Sequence, residues 1–197
     1  MPIRAILMRV FGFFNKKIDK YFLNYRLRLL TEKKILKSLN FLHREDLFAK
    51  LKLVKHPCVT NNKFNNVSSR IYKKEKKRII SKANKVILGK ISLLGCDYNF
   101  EQNINWHYDC KSNFSWPYLF FSEINTLDLE KSNDIKVPWE ISRLQWIIPV
   151  VQAWILTKDE KYSKFVKDII TNWINNNKYG MGVNWSCTME PSMRVFV

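Results

Sequence analysis

The sequence predicts an all-α protein, an incomplete α/α toroid built from antiparallel helical hairpins. Apolar residues recur with the 3.6-residue period of an α-helix through most of the chain. The link between two of the helical stretches is only three residues long, which predicts a helical hairpin. Hairpins in series, separated by loops rich in aromatic residues, favour a toroid. With 197 residues, the chain is long enough to bury a sizeable core.

The first half of the chain is predicted to be a basic helical region. Residues 1–55 and 70–95 are rich in Leu, Ile, Lys and Arg at helical spacing, and the polar stretch 61–69 predicts a turn between them. Residues 1–100 hold 24 Lys/Arg against 6 Asp/Glu, whereas residues 101–197 hold 10 against 11. We therefore predict a basic helical N-terminal region over residues 1–94 and a second domain over residues 95–197.

An amphipathic helix is predicted near the N-terminus. Such a basic helix can lie on an anionic membrane surface, or it can dock on its own domain as most surface helices do. The apolar patch around Arg9 lacks a small-residue cleavage site and is a poor signal peptide, and no stretch is long and apolar enough to span a bilayer. The apolar positions of the helix are Phe14, Ile18, Tyr21, Phe22, Tyr25 and Leu29.

The stretch from Gly95 to about Asp134 is aromatic, rich in Asn and irregular, which predicts a long loop. Loops of this length inside a compact domain are uncommon and usually functional. All seven tryptophans lie in the second half of the chain. They are Trp106, Trp116, Trp139, Trp146, Trp154, Trp173 and Trp185.

The cysteines form no C-x-x-C pair, and no histidine stands at metal-ligand spacing from them. The sequence therefore predicts unpaired small apolar side chains, no metal site and no cofactor. The four residues are Cys58, Cys96, Cys110 and Cys187.

Helical signals resume after residue 134. Pro138 suits the first turn of a helix, where the missing N–H of proline has no cost. Pro149 falls inside the predicted helix and is expected to kink it. One apolar stripe runs along this helix. The stripe consists of Ile141, Leu144, Ile148, Val151 and Ile155.

The last two helices are predicted from their start signals. Thr157 and Glu160 have the spacing of a capping box, so Thr157 is the predicted N-cap of a helix over about residues 159–175. After a glycine-containing turn at residues 179–182, Thr188 is the predicted cap of a third helix.

Three clusters of polar and aromatic residues are candidates for a ligand site. A charged, hydroxyl-rich ring needs hydrogen bonds, charge pairing and a flat apolar face, and the second and third clusters each supply a carboxylate, a cation and a Trp for this purpose. The clusters are Trp106 with His107 and Tyr108; Lys136, Trp139, Glu140, Arg143 and Trp146; and Asn184, Trp185, Glu190 and Arg194.

Spacing alone leaves alternatives open for these residues. His107 is a candidate general acid or base, but ligand contact or loop anchoring competes with catalysis, because adjacent residues on an extended loop point in opposite directions. Glu140 and Arg143 are three residues apart on a helix, which also fits a simple ion pair. Glu190 and Arg194, four residues apart, fit a helix-surface pair equally well.

The amino-acid sequence around these three clusters resembles that of the N-terminal helical domain of the heparinase II/III-like polysaccharide lyases, across roughly residues 95–197. The first ninety residues match only loosely. The resemblance is carried by residues 104–109 (INWHYD), 116–117 (WP), 134–145 (DIKVPWEISRLQ), 157–162 (TKDEKY), 182–185 (GVNW) and 189–194 (MEPSMR).

The resemblance implies β-elimination at a 4-linked uronic acid of an acidic polysaccharide. This chemistry needs a group that neutralises the C5 carboxylate and a Tyr or His acting as base and acid. By resemblance, Asn184 is the catalytic neutraliser, since it precedes a helix and follows a glycine turn. The proline at position 191 departs from the family pattern. The implied substrate-binding residues are Trp106, His107, Trp139, Glu140, Arg143, Trp185, Glu190 and Arg194.

The resemblance also implies a C-terminal β-sandwich domain as partner, with the catalytic Tyr and second His beyond the residues present. We therefore expect a fragment that is inactive by itself. The alternative function is a non-catalytic domain that binds or assembles acidic glycans. No nucleic-acid partner is expected, because that hypothesis rests on charge alone. The family suggests the periplasm or cell envelope, with the cytoplasm as alternative.

Overall fold

The computed structural model describes residues 3–53, 69–100, 103–126 and 132–194. The chain forms two compact units, residues 1–67 and residues 68–197. Both are mainly helical, which confirms the predicted helical character, but the second unit also contains two small antiparallel sheets that the all-α prediction lacked. The predicted domain boundary at residue 94 falls inside a β-hairpin of the second unit.

Three helices make up the described part of the first unit: α1 (Ile3–Leu29), α2 (Glu32–Ser38) and α3 (Arg44–Leu53). The predicted helix over residues 1–55 is therefore interrupted twice. Thr31 caps α2, because its hydroxyl accepts a hydrogen bond from the Lys34 backbone N–H. The guanidinium of Arg44 forms an ion pair with Glu32. Cys58 lies outside the described residues, and so does most of the turn predicted at residues 61–69.

Helix α1 carries large apolar side chains that are exposed to solvent. They recur at intervals of three and four residues and so form one stripe along the helix. In the described ranges, no helix has the length and apolar character that a bilayer crossing requires. The exposed apolar residues of α1 include Met8, Phe11, Phe14, Ile18, Tyr21, Phe22, Tyr25 and Leu29.

The second unit begins with α4 (Ser69–Ile87), followed by the antiparallel strands β1 (Lys90–Leu93) and β2 (Cys96–Asn99). Helix was predicted as far as residue 95, and this prediction is wrong beyond Ile87. Gly89 ends the helical run with φ +76°, and a Cβ atom there would lie 1.8 Å from the Phe100 carbonyl oxygen. Buried and exposed residues then alternate along β1, as a strand with one covered face requires.

The predicted long loop after Gly95 contains more regular structure than expected. Strands β3 (Tyr108–Asp109) and β4 (Phe114–Ser115) form a second hairpin, and a 3₁₀ helix spans Phe121–Glu123. A disulfide joins Cys96 to Cys110. The prediction that these cysteines are unpaired is therefore wrong, because two consecutive hairpins bring them together.

Helix α5 (Lys136–Ser142) ends well before Pro149. Leu144 adopts φ 62°, a left-handed conformation that stops the helix, and a 3₁₀ turn at Gln145–Ile147 leads into α6 (Ile148–Thr157). Pro149 therefore lies in the first turn of α6 and not at a kink, which corrects the predicted continuous helix.

Helix α7 (Glu160–Asn176) confirms the predicted helix, but its cap differs from the prediction. The carboxylate of Asp159 accepts from the Lys161 backbone N–H, so Asp159 is the N-cap. The Thr157 hydroxyl instead donates to the Ala153 carbonyl oxygen at 2.7 Å. Thr157 is thus the last residue of α6, and the link between the two helices is two residues long.

The described part of the chain ends with a 3₁₀ helix at Val183–Trp185 and with α8 (Met189–Arg194). Thr188 directly precedes α8, at the position predicted for its cap. Helices α4, α6 and α7 pack on one another around the core of the second unit. Buried residues of that core include Ala83, Val86, Val137, Ile141, Ile147, Val150, Ala153, Tyr162, Ile169 and Trp173.

Candidate functional site

Helix α5, the 3₁₀ helix at Val183–Trp185 and α8 converge at one place in the second unit. The indole N–H of Trp139, on α5, donates to the Val183 carbonyl oxygen at 2.8 Å. This bond connects the two sequence motifs that are 44 residues apart and that were predicted to carry the site. The predicted site residues are therefore neighbours in space.

An ion pair between Arg143 and Glu190 lies at the centre of this convergence. Arg143 Nε donates to Glu190 Oε2 at 2.9 Å, and Nη2 donates to Oε1 at 2.8 Å. The Glu190 side chain is wholly buried, while Arg143 retains 20% of its exposure. Arg143 Nη1 also donates to Glu140 at 2.5 Å, so the predicted Glu140–Arg143 pair is confirmed.

The hydrogen bonds that Glu190 accepts raise the pKa of the Arg143 guanidinium above its ordinary value, and Glu140 adds to the effect. A bidentate arginine–carboxylate pair of this kind is among the stronger ionic contacts in proteins. Glu190 was expected to be a surface partner of Arg194. That expectation is wrong, because α8 turns Glu190 inward toward α5.

Arg194 packs against two indole rings. Its guanidinium carbon is 4.6 Å from the ring centre of Trp173 and 5.1 Å from that of Trp185. Nη2 donates to the Asn184 carbonyl oxygen at 3.1 Å, whereas Nη1 is buried without a hydrogen-bond partner. Burial lowers the pKa of Arg194 to about 10, and the charge of Glu190 acts in the opposite direction. Arg194 is therefore a charged, aromatic-flanked donor at neutral pH.

Asn184 is wholly buried. Its amide Nδ2 donates to the Trp106 carbonyl oxygen at 3.0 Å and to Asn177 Oδ1 at 2.8 Å, while Oδ1 has no partner. The amide was expected to point into a cleft, but in this conformation both of its hydrogens are used inside the fold. Its role as the neutraliser of a substrate carboxylate stays a prediction that requires these bonds to open.

The loop before β3 places Trp106 and His107 beside this network. Trp106 is 1% exposed, and its indole N–H donates to Asn172 Oδ1 at 2.8 Å. The His107 ring makes an edge contact with Tyr118, with 5.4 Å between ring centres. Gly182 makes room for this ring, since a Cβ atom there would lie 2.2 Å from His107 Cε1.

Both ring nitrogens of His107 are buried and have no hydrogen-bond partner. Burial lowers the pKa of the imidazole below its ordinary value. The nearby backbone of Asn176 has a smaller effect and raises the pKa. The predicted neighbour Tyr108 points elsewhere, and its hydroxyl donates to Asn113 Oδ1 at 2.7 Å. His107 and Tyr108 therefore do not act on one atom here.

A cavity of about 320 Å³ adjoins His107 and is lined by both aromatic and polar side chains. Its volume is at the lower end for small-molecule pockets. Sequence reasoning missed its contributors from α7 and the following turn, because they carry no motif. The lining residues are Ile104, Asn105, Trp106, His107, Tyr118, Asn175, Asn176 and Lys178.

Sequence reasoning also missed two residues that hold the site together. Trp173 was predicted only as a core residue of α7, yet one face of its indole covers the Arg194 guanidinium. Asn177 accepts from the Asn184 amide and ends α7. The one available signal was the Asn-rich end of that helix, since Asn side chains commonly bond to neighbouring backbone and turns.

Within the described ranges, no cluster of three or more His, Cys, Asp or Glu side chains could hold a metal ion. The site offers a buried ion pair, a cation packed against indole rings and a cavity with aromatic and amide side chains in its lining. These groups suit the holding of an anionic, hydroxylated ligand.

The family model described as heparinase II/III N-terminus matches residues 31–195 of the chain. The match includes every predicted site residue and reaches further toward the N-terminus than the motifs from residue 95 onward. No curated protein and no solved structure matches the chain.

Proposed function

Since the chain belongs to the heparinase II/III N-terminus family, we propose that it forms the substrate-holding helical part of a polysaccharide lyase that acts on acidic polysaccharides containing uronic acid. The observation that carries this proposal is the family match over residues 31–195, which contains the whole site network. In the reaction, a base removes the C5 proton of a 4-linked uronic acid. The electrons of that bond form the C4–C5 double bond, the C4–O bond breaks, and a proton goes to the leaving oxygen.

Arg194 is the residue best placed to hold an acidic sugar. Its Nη1 is a buried donor without an acceptor, and a ligand oxygen would satisfy it once local packing opens a path to this atom. Tyr179 stacks edge-on against Trp185 at 4.8 Å and is 55% exposed, so it offers an aromatic face beside the cation. Sugar rings use such apolar faces together with charge pairing.

The remaining predicted site residues take supporting roles in this proposal. Arg143 and Glu190 fix α5 against α8, and Trp139 fixes α5 against Val183. Asn184 remains the proposed neutraliser of the uronate carboxylate, whose approach must replace the bonds to Trp106 and Asn177. Neutralising that carboxylate acidifies the C5 proton, because it stabilises the charge that develops on proton removal.

We propose that this chain by itself does not cleave its ligand. Residues 68–197 contain a single histidine, His107, and neither of its ring nitrogens reaches solvent in this structure. We propose that the base and acid of the reaction come from another part of the protein. The alternative function, a domain that binds acidic glycans without cutting them, is favoured by the same observation.

An activity and binding assay on heparan sulfate, alginate and hyaluronan tests the proposed function. We expect at least one of these polymers to retard the chain in affinity electrophoresis, without any rise in the absorbance of unsaturated uronate. Clear turnover would make His107 and Tyr108 the leading acid and base. Failure to bind every acidic polymer would contradict both the lyase and the glycan-binding function.

We also propose an α/α toroid in which α6 and α7 form one hairpin, paired with a β-sandwich domain of the same protein. Support comes from the packing of α4, α6 and α7 in sequence order and from the family. A structure of the longer protein in which the helices did not form a ring of hairpins would contradict this architecture.

The disulfide between Cys96 and Cys110 supports an oxidising compartment such as the periplasm or cell envelope, since cytosolic thiols are normally kept reduced. Isolation of the protein with both thiols free from cells grown without added reductant would contradict this assignment.

Helix α1 is proposed to contact an anionic membrane surface. It carries seven Lys/Arg and one Asp, and its aromatic stripe is exposed, with Phe11 at 69% and Tyr21 at 78%. Cationic helices with an aromatic face lie in the lipid headgroup region. Sedimentation with anionic vesicles, but not with zwitterionic vesicles, is expected, and Phe11→Ser with Tyr21→Ser should reduce it. Equal sedimentation of the chain and this variant would contradict the contact.

A further inference from the structure

A second cleft of the second unit lies away from the site above, between α4 and the β1–β2 hairpin. Its volume is about 840 Å³, within the range of clefts that hold ligands of drug size or larger. Neither the predicted site residues nor their hydrogen-bond partners contribute to it, apart from Trp146 of the second sequence cluster. The lining residues are Lys82, Lys85, Val86, Leu88, Lys90, Ile91, Ser92, Asp97, Asn99, Trp146 and Pro149.

Three lysines give this cleft its charge. Lys82 and Lys85 are three residues apart on α4, so they share one face of the helix, and Lys90 opens β1. In the described part of the chain, none of the three has an ion-pair partner. The carboxylate in the lining is that of Asp97, so the cleft carries an excess of positive charge.

The floor of the cleft is built by the solvent-facing side of the hairpin. Lys90 pairs with Asn99 across the strands, and Ser92 pairs with Asp97, so four polar side chains lie in two adjacent cross-strand pairs. The amide, hydroxyl and carboxylate can exchange hydrogen bonds with sugar hydroxyls, while the ammonium groups suit carboxylates or sulfates. Pro149 and Ile91 add apolar surface.

The same lining argues against a nucleic acid. Strands of unpaired nucleic acid bind on exposed aromatic side chains where bases stack, but Trp146 is only 9% exposed and its indole N–H donates to the Ile141 carbonyl oxygen.

We propose that the cleft between α4 and the β1–β2 hairpin is a second binding site for the acidic polysaccharide, in which Lys82, Lys85 and Lys90 contact the anionic groups of successive sugar rings. This assignment rests on the proposed function. The cleft holds the polymer at a distance from the reacting uronate, so it contributes to affinity and to the choice of polymers with closely spaced charges.

Calorimetric titration of the full chain with an alginate oligosaccharide of defined length tests this site. The variant Lys82→Gln/Lys85→Gln/Lys90→Gln is compared with the control Lys73→Gln/Lys74→Gln/Lys77→Gln, which removes the same charge from exposed positions of α4 outside the cleft. The cleft variant is expected to raise Kd at least tenfold at low salt, and the control less than twofold. Circular dichroism and Tm establish that both variants fold.

The outcomes separate the cleft from the proposed function. Equal losses in the two variants, or no loss in the cleft variant, would overturn the cleft while leaving acidic-glycan binding intact. Absence of binding by the unaltered chain would overturn both. Tighter binding of a single-stranded oligonucleotide than of alginate, lost in the cleft variant, would replace the saccharide by a nucleic acid.

Discussion

Arg143 donates to both carboxylate oxygens of Glu190, at 2.9 and 2.8 Å, and thereby joins α5 to α8 across 47 residues of sequence. Glu190 is wholly buried, and Arg143 is the cation that forms hydrogen bonds with it. The pair holds the two motif segments together, so the geometry around Arg194 and Asn184 follows from it.

Removing either partner of this pair is expected to destabilise the protein. Arg143→Ala should lower the free energy of unfolding by about 3–5 kcal/mol, because the carboxylate that it leaves behind is wholly buried. Glu190→Ala should cost less, because Arg143 keeps Glu140 as a partner and is partly exposed. Glu140→Ala is the control and should cost about 1 kcal/mol or less, since Glu140 is partly exposed. Urea unfolding measures all three. Equal, small losses would mean that Glu190 is solvated in solution.

The buried amide of Asn184 leads to a second prediction. Asn184→Ala should lower the free energy of unfolding by about 1–3 kcal/mol, because it leaves Asn177 Oδ1 and the Trp106 carbonyl oxygen without their donor. Asn176→Ala, which removes an exposed amide at the end of α7, is the control and should cost about 0.5 kcal/mol or less. An unchanged unfolding midpoint for Asn184→Ala would indicate an amide that is free to serve a ligand, as the sequence suggested.

His107 should make the stability of the protein depend on pH. Burial lowers its pKa in the folded state, so as pH falls through the ordinary value of 6.5 the unfolded chain binds a proton that the folded protein still excludes. The free energy of unfolding contributed by this group is therefore highest above pH 6.5 and falls on acidification toward the lowered pKa.

Unfolding of the chain and of His107→Gln at pH 7.5 and 5.5 measures this effect. His107→Gln should lose less stability than the unaltered chain on acidification. His43→Gln, at an exposed position of the first unit, is the control and should respond like the unaltered chain. The prediction is contradicted if the free energy of unfolding rises on acidification in the unaltered chain but not in His107→Gln. The folded protein would then bind the proton of His107 more tightly than the unfolded chain does.

The Cys96–Cys110 disulfide closes a loop of about fifteen residues, for which chain entropy gives about 3 kcal/mol of stabilisation. Cys96→Ser/Cys110→Ser should lower the unfolding midpoint in urea accordingly. Cys187→Ser, which alters a free thiol, should not. Added reductant should destabilise the unaltered chain and leave the double variant unchanged. A midpoint insensitive to reductant would contradict a disulfide in solution.

Local signals predicted the helices well where apolar periodicity was strong. Helix α7 was found within one residue of its predicted bounds, because its buried stripe is regular and its start is polar. The capping residue was misassigned, since Thr157 and Asp159 both fit the sequence pattern and only the path of the short link decides between them.

Contacts between distant segments could not be predicted in the same way. Spacing on one helix paired Glu190 with Arg194, while the fold pairs it with Arg143 of another helix. The disulfide was missed for the same reason, because Cys96 and Cys110 meet only after two hairpins have formed. The sequence motifs located the site, but the buried partners of each side chain in it depend on tertiary packing.

The most direct measurement of the proposed function compares two polymers that differ only in charge. Alginate and carboxyl-reduced alginate share chain length and linkage, so a difference in their Kd for the full chain isolates the contribution of the uronate carboxylates. We expect at least a tenfold weaker affinity for the reduced polymer, and a further weakening of alginate binding as salt rises. Equal binding of both polymers, or binding of neither alginate nor any other uronate polymer, would contradict a protein built to hold acidic polysaccharides.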